Sequence, residues 1–104
     1  MGDPDPTAGF TGFDWDAANS DKNRPRHGGS QGECEEAFFG RTLVLAPDVR
    51  HSESESRYYL LGQTVAGRFL FVAFTRRGGL VRVISARDMS RRERRIYAEA
   101  QDER

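Results

Sequence analysis

Arginine is the residue type in this chain whose chemistry is most specific. All but one of the 16 basic side chains are arginine, and a guanidinium group offers a planar fork of donors that suits phosphate and stays charged at any working pH. The formal net charge is zero, but residues 1–56 carry −6 and residues 57–104 carry +6. This asymmetry predicts a surface that meets an anion, either a nucleic acid or an acidic partner.

Groups for acid–base chemistry are scarce. Only His27 and His51 titrate near neutral pH in an ordinary environment. His51 lies in a polar loop with Glu53 and Glu55, where a His–Glu pair would serve as acid and base; the alternative is an exposed loop histidine. His27 is also explained as a residue at a helix end that favours the helix dipole.

The composition predicts one cytoplasmic domain. The chain of 104 residues has room for one modest core. We expect residues 1–12 to be a disordered lead, because Asp, Pro and Gly dominate them, and residues 13–104 to form the domain. No apolar run is long enough to span a membrane, and the start is not a signal peptide. The one cysteine, Cys34, cannot form an internal disulfide, and no metal-ligand spacing or cofactor motif is present.

Three helices are predicted. Phe13 and Trp15 alternate with Asp14 and Asp16, which suits a short strand before a weak helix from Ala17 to about Arg24. Two further helices have a capping box, a Ser with a Glu three residues later. Ser30 and Glu33 begin the helix that stops at Gly40. Ser90 and Glu93 begin the last helix, from which Met89, Ile96, Tyr97 and Ala100 would pack on the sheet.

The pattern of strands predicts an antiparallel meander. The strands are Thr42–Ala46, Arg57–Thr64, Arg68–Thr75 and Val81–Ala86. Residues 70–74 are apolar on both faces and belong at the centre of the sheet. The fold class is therefore α+β, an antiparallel sheet of about four strands with two N-terminal helices and one C-terminal helix. A regular strand would point Arg82 away from Ser85 and Arg87, whereas a bulge near Ser85 would bring the three together.

A series of short motifs along the chain carries a family resemblance. The motifs are Phe13-Asp14-Trp15-Asp16, Arg26-His27-Gly28, Asp48-Val49-Arg50-His51-Ser52, Glu55-Ser56-Arg57, Thr75-Arg76-Arg77-Gly78, Arg82-Val83-Ile84-Ser85-Ala86-Arg87, and Glu93-Arg94 with Tyr97. In this order, over about residues 13–100, they resemble the BrnT family of toxins from bacterial toxin–antitoxin pairs. Each motif alone is weak, but their shared order is specific.

The resemblance implies a fold and an activity. The fold would be similar to RelE and barnase-like ribonucleases, and the substrate would be messenger-like RNA. Because no metal-ligand spacing is present, we expect cleavage without a metal or cofactor. The implied partner is a BrnA-like antitoxin with a ribbon-helix-helix domain. We expect a heterotetramer with two of each chain, which would reach operator DNA only through the antitoxin.

The resemblance also suggests roles for individual residues. The expected catalytic residues are Arg57, Arg77, Arg82, Arg87 and His51. The expected RNA-binding residues are Arg26, His27, Ser85 and Tyr97. Alternative interpretations are surface ion pairs with the acidic half for the arginines, core packing for Tyr97 and a strand end for Ser85.

The sequence departs from the family pattern mainly in its helices. Asn19 stands where lysine is usual, Arg26 also replaces a lysine, and Pro25 and Gly29 are untypical. These departures question the strength of the activity more than the fold. Two other functions therefore stay open: a catalytically weak protein that co-represses transcription with its antitoxin, and a structural subunit without RNA contact.

Overall fold

The structure is a computed structural model, and it describes residues 5–16, 18–19, 30–50 and 55–102 together with the backbone of His51. Its elements are β1 (Gly12–Phe13), α1 (Gln31–Phe38), β2 (Val44–Pro47), a 3-10 turn (Val49–His51), β3 (Arg57–Gln63), β4 (Phe69–Arg77), β5 (Leu80–Asp88) and α2 (Arg91–Asp102). The α+β class is confirmed. Most of the helix predicted from Ala17 to about Arg24 lies outside the described residues, so two helices are seen rather than three.

The sheet has five strands in the order β1-β5-β4-β3-β2. Strands β2 to β5 form the predicted antiparallel meander. The prediction of about four antiparallel strands was wrong at one edge, because β1 pairs with β5 in parallel and makes the sheet mixed. No local turn signal could reveal this pairing, since Gly12 lies opposite Leu80, far along the chain.

Residues 5–12, which fall in the segment expected to be a disordered lead, have defined contacts. The backbone N–H of Thr11 donates to the carbonyl of Gly79 at 2.8 Å. Phe10 packs on the core, with its ring centroid 5.3 Å from that of Phe13. In the described part of the chain, no helix is long and apolar enough to cross a membrane.

Both predicted capping boxes are confirmed. At α1 the Glu33 N–H donates to Ser30 Oγ, and the Ser30 N–H donates to Glu33 Oε1, each at 3.1 Å. At α2 the same exchange joins Ser90 and Glu93 at 2.8 and 3.2 Å. These bonds satisfy N–H groups that have no partner within the helix.

The core has two layers, one on each side of the sheet. Helix α1 covers the first layer, and the buried residues there include Leu60, Leu70, Val72, Phe74, Val81, Val83 and Ala86. On the second side Tyr97 of α2 packs with Leu61 and Met89. Strand β4 is central and contributes to both layers, as predicted. The expectation that Ile96 packs was wrong: it is 39% exposed, because α2 meets the sheet through Tyr97, its neighbour around the helix.

A bulge in β5 decides which side chains share a face. Ala73 of β4 lies opposite Ser85 and Phe74 opposite Val83, so Ile84 is an extra residue on β5. The bulge shifts the alternation by one residue. Arg82, Ser85 and Arg87 therefore point to the same side of the sheet, the arrangement that the sequence allowed only with a bulge.

Gly62 allows close contact between β3 and α1, and its substitution should destabilise the fold. A Cβ atom at Gly62 would lie 2.6 Å from the carbonyl oxygen of Ala37. We expect Gly62→Ala to lower the free energy of unfolding by about 1–3 kcal/mol, as overpacking does. Gly32→Ala is the control, because nothing lies within 4 Å of that Cβ position on α1, and alanine should add about 0.5–1 kcal/mol there. Urea unfolding measures both, and equal effects would contradict this account of Gly62.

Candidate functional site

One face of the sheet, which we call the arginine face, carries three rows of side chains. Residues directly paired in antiparallel strands point to the same side. The first row is Arg57, Thr75 and Arg82; the second is Ala46, Tyr59, Ala73 and Ser85; the third is Val44, Leu61, Phe71 and Arg87. The α2 side of the core includes Leu61 and Phe71 of the third row. Arg77 lies two residues beyond Thr75 on β4 and points to the same side of the sheet.

Arginines and carboxylates alternate around the first row. Arg77 Nε donates to Glu55 Oε2 at 2.8 Å. Arg82 donates to both carboxylate oxygens of Asp16, at 2.9 and 3.2 Å, and lies 3.5 Å from Asp14 Oδ1. We call Arg57, Arg77, Arg82, Asp14, Asp16 and Glu55 the arginine–carboxylate cluster. Ion pairing with the acidic half, the alternative interpretation of these arginines, is therefore present in this arrangement.

The charges of this cluster stabilise one another. The hydrogen bond from Arg77 is the largest cause that lowers the pKa of Glu55, and the positive charges of Arg57 and Arg82 lower it further. The hydrogen bond from Arg82 likewise lowers the pKa of Asp16. Both carboxylates are therefore ionised at neutral pH. An ionised carboxylate can accept a proton, and the guanidinium groups that lower its pKa also reduce its strength as a base.

Two buried polar residues position the cluster. Thr75 is 1% exposed, and its hydroxyl donates to the carbonyl of Ser56 at 2.6 Å, which holds the segment of Glu55 against the sheet. Asn19 is 5% exposed and donates to the carbonyls of Asp14 and Val83 at 3.0 and 2.8 Å. It also accepts from the Asp16 N–H at 2.7 Å.

Asn19 is a positioning residue that sequence reasoning missed. The sequence showed it only as a departure that weakens a helix, whereas the structure uses it to fix the two aspartates beside Arg82. The alternation of Phe13 and Trp15 with Asp14 and Asp16 placed the acids on one side of the segment, but it gave no signal for Asn19.

Arg87 lies apart from the other three arginines. It is two rows from Arg82 on the same face, four residues or about 13 Å along the strands. Glu93 of α2 accepts two hydrogen bonds from it, at 2.8 and 2.9 Å, and its guanidinium carbon lies 4.0 Å from the ring centroid of Phe71. The hydrogen bond from Arg87 lowers the pKa of Glu93. The four predicted arginines thus divide into a group of three and one separate residue.

The remaining predicted residues have different positions. Ser85 is exposed in the second row. Tyr97 is 2% exposed and donates its hydroxyl to the carbonyl of Thr42 at 2.9 Å, so it is part of the core that α2 forms over the third row. Burial raises the pKa of its hydroxyl. Arg26, His27 and the side chain of His51 lie outside what the structure describes.

Glu55 was not among the predicted site residues, although the sequence placed it beside His51. The signal was its position two residues before Arg57, at the start of a strand. Among the described residues, no group of three or more His, Cys, Asp or Glu side chains is arranged to hold a metal ion.

These observations define a small α+β protein whose mixed sheet presents arginines and carboxylates on one face. Residues 15–93 match a family model described as "Ribonuclease toxin, BrnT, of type II toxin-antitoxin system". The match covers most of the 104 residues, and the chain belongs to the BrnT family. No curated protein and no solved structure matches it.

Proposed function

We propose that this chain is a metal-independent endoribonuclease that cleaves RNA at the arginine–carboxylate cluster. The observation that carries the proposal is the position of Glu55, an ionised carboxylate that bonds Arg77 and lies within the electrostatic reach of Arg57 and Arg82. The family supports the choice of RNA as substrate. A RelE-like fold is part of the proposal, supported by the meander and its two helices.

The proposed reaction is an attack by the 2′-hydroxyl on the adjacent phosphorus. Glu55 takes the proton of the 2′-hydroxyl as the P–O2′ bond forms, and the bond from phosphorus to the 5′-oxygen breaks. Arg57, Arg77 and Arg82 stabilise the extra negative charge on the phosphoryl oxygens. We propose that His51 donates a proton to the leaving 5′-oxygen. His51 ends a 3-10 turn that lies shortly before Glu55 in the chain.

The proposed partner is a BrnA-like antitoxin with a ribbon-helix-helix domain. Membership of a toxin–antitoxin family supports a protein partner. We propose a heterotetramer with two of each chain, which reaches operator DNA only through the antitoxin. The antitoxin would cover the arginine face and keep RNA from the cluster.

A second candidate function is a weak enzyme that acts mainly as a co-repressor with its antitoxin. The observation that favours it is the pairing of Arg77 and Arg82 with carboxylates, which offsets the positive charge that a phosphate requires. Under this alternative, the protein strengthens the binding of the antitoxin to operator DNA, and Arg82→Ala does not change RNA cleavage.

Cleavage of a labelled single-stranded RNA in excess EDTA tests the first proposal. The purified protein should cut the RNA, and added antitoxin should stop the cutting. Arg68→Ala is the control, because Arg68 pairs with Glu33 and Asp88 at the other end of β4, and it should cut normally. Absence of cleavage with or without ribosomes, or cleavage that the chelator abolishes, would overturn the proposal.

The pH dependence of cleavage should identify the base. Because Arg77 lowers the pKa of Glu55 from the ordinary 4.5, the base stays ionised down to that pH, and the acid limb of kcat/KM should lie below 4.5. If His51 is the acid, loss of its proton should give a separate alkaline limb near the ordinary histidine value of about 6.5. Arg77→Gln removes the largest cause of the lowered pKa, so the acid limb should move up toward 4.5. Circular dichroism at each pH would show that the protein stays folded. An acid limb near 6.5, the ordinary value for histidine, would contradict this assignment and favour a histidine as base.

A further inference from the structure

The second row of the arginine face contains one aromatic ring among small side chains. Tyr59 of β3 pairs with Ala46 on one side and Ala73 on the other, and Ser85 follows Ala73 in the same row. Tyr59 and Ala73 are half-buried, and Ser85 is exposed. These small neighbours cover little of the ring, and Tyr59 is partly exposed.

The ring of Phe71 packs against one side of the Tyr59 ring. The centroids of the two rings lie 5.3 Å apart, with the two planes inclined by 22°. Phe71 is in turn covered by the guanidinium of Arg87, which Glu93 of α2 fixes by two hydrogen bonds. The stack of Tyr59, Phe71 and Arg87 therefore joins the middle of the open sheet to the start of α2.

The hydroxyl of Tyr59 differs from that of Tyr97 in its hydrogen bonding within the described residues. It makes no hydrogen bond to any residue that the structure describes, in contrast to Tyr97, whose hydroxyl is bonded inside the core. The fold of the described residues therefore does not depend on this hydroxyl, and the feature of Tyr59 that suits a ligand is its half-buried ring.

The arginine–carboxylate cluster lies next to this ring. The first row, with Arg57, Thr75 and Arg82, is two residues or about 7 Å from the row of Tyr59. Guanidinium groups that bind phosphate beside an aromatic ring that receives a base are the two components of single-strand RNA recognition. The guanidinium groups of the first row, which can bond phosphate oxygens, and the adjacent ring favour RNA over an apolar peptide as the occupant.

We propose that Tyr59 is the platform on which one base of single-stranded RNA stacks, next to the phosphate held by the first row. This inference rests on the proposed function for its choice of ligand. The base lies over Tyr59 and the small side chains of Ala73 and Ser85, while the Phe71–Arg87 pair limits the position of the ring. Arg87 is thereby a positioning residue, which explains its distance from the other three arginines.

Binding of uncleavable RNA tests the platform separately from catalysis. The probe is a short fully 2′-O-methyl RNA with a fluorescent end label, measured by anisotropy in EDTA. Loss of one stacked base costs about 5- to 150-fold in affinity. We expect Tyr59→Leu to weaken binding by this factor, whereas Tyr59→Phe, which keeps the ring, should bind like the original protein.

A change in the RNA provides a readout that a merely structural role for Tyr59 would not affect. Replacing one nucleotide at a time by an abasic residue should weaken binding to the original protein at one position and have no further effect on Tyr59→Leu. 2-Aminopurine at that position should lose fluorescence on binding the original protein. Thermal unfolding identifies any variant that does not fold. If Tyr59→Leu does not fold, the abasic series on the original protein tests by itself whether one base is stacked.

The failures of the two proposals can be told apart. RNA cleavage with no effect of Tyr59→Leu or of any abasic position would overturn the platform and leave the nuclease intact. Binding that depends on Tyr59 without cleavage would support the platform and overturn the nuclease. Weaker antitoxin binding by Tyr59→Leu with unchanged RNA binding would mean that this face is a protein interface, and it would overturn the platform.

Discussion

Replacement of Glu55 by glutamine should reduce kcat for RNA cleavage by about 10²–10⁴-fold, the contribution of a positioned general base. Glutamine keeps the size of the side chain and its ability to accept a hydrogen bond from Arg77, but it cannot accept the 2′-hydroxyl proton at neutral pH. Rapid-quench measurements with saturating RNA give kcat directly. Thermal unfolding should change little, because Glu55 lies at the surface and exposed ion pairs contribute little to stability.

Glu33→Gln is the matched control for Glu55→Gln. Glu33 also accepts a hydrogen bond from an arginine, Arg68, at 2.9 Å, but it lies on α1 away from the first row. Its substitution should leave kcat unchanged. If both variants, or neither, lose activity, Glu55 is not the base.

Replacement of Arg82 by alanine should lower kcat/KM by about 10²–10³-fold, the usual effect of removing one donor that stabilises transition-state charge. Arg82 lies in the middle of the cluster, its side chain is 13% exposed, and its pKa is raised chiefly by the hydrogen bond with Asp16. Arg82→Lys should recover only part of the activity, because an ammonium group cannot reproduce the planar fork. Initial rates at low RNA concentration measure the effect.

Asp16→Asn tests whether Arg82 acts on RNA or serves mainly to hold the fold. Asp16 is the closest carboxylate to Arg82, and its side chain is 52% exposed. If Arg82 acts on phosphate, removal of the competing charge should leave cleavage intact or strengthen RNA binding. If Arg82 serves mainly to hold the segment of Asp14 and Asp16, Asp16→Asn should impair the protein as Arg82→Ala does, and the catalytic assignment would be contradicted.

Local signals in the sequence predicted most of the fold correctly. The capping boxes at Ser30 and Ser90 identified the start of both described helices, because the partners are three residues apart. The strands on either side of Gly78 were identified from their local pattern, and Gly78 has a φ of 61° that suits glycine. The parallel pairing of β1 was missed because it joins two residues to a strand at the other end of the chain.

The site was predicted less completely than the fold. Residue type and position indicated Arg57, Arg77 and Arg82, but membership of one cluster depends on strand register and on the bulge at Ile84. The same register separates Arg87 from them. The burial of Tyr97 agrees with the sequence-based expectation that it packs on the sheet from α2, which was the alternative to its role toward RNA. The roles of His51, Arg26 and His27 stay predictions.

The central claim is that this face cleaves RNA through the 2′-hydroxyl, and the chemical ends of the products test it most directly. We would digest an end-labelled RNA in excess EDTA, alongside the same RNA with a single 2′-deoxy nucleotide at the main cleavage position, and analyse the products by mass spectrometry. The account predicts 2′,3′-cyclic phosphate ends and no cleavage at the 2′-deoxy position. Cleavage at that position, or products with 3′-hydroxyl ends, would contradict it.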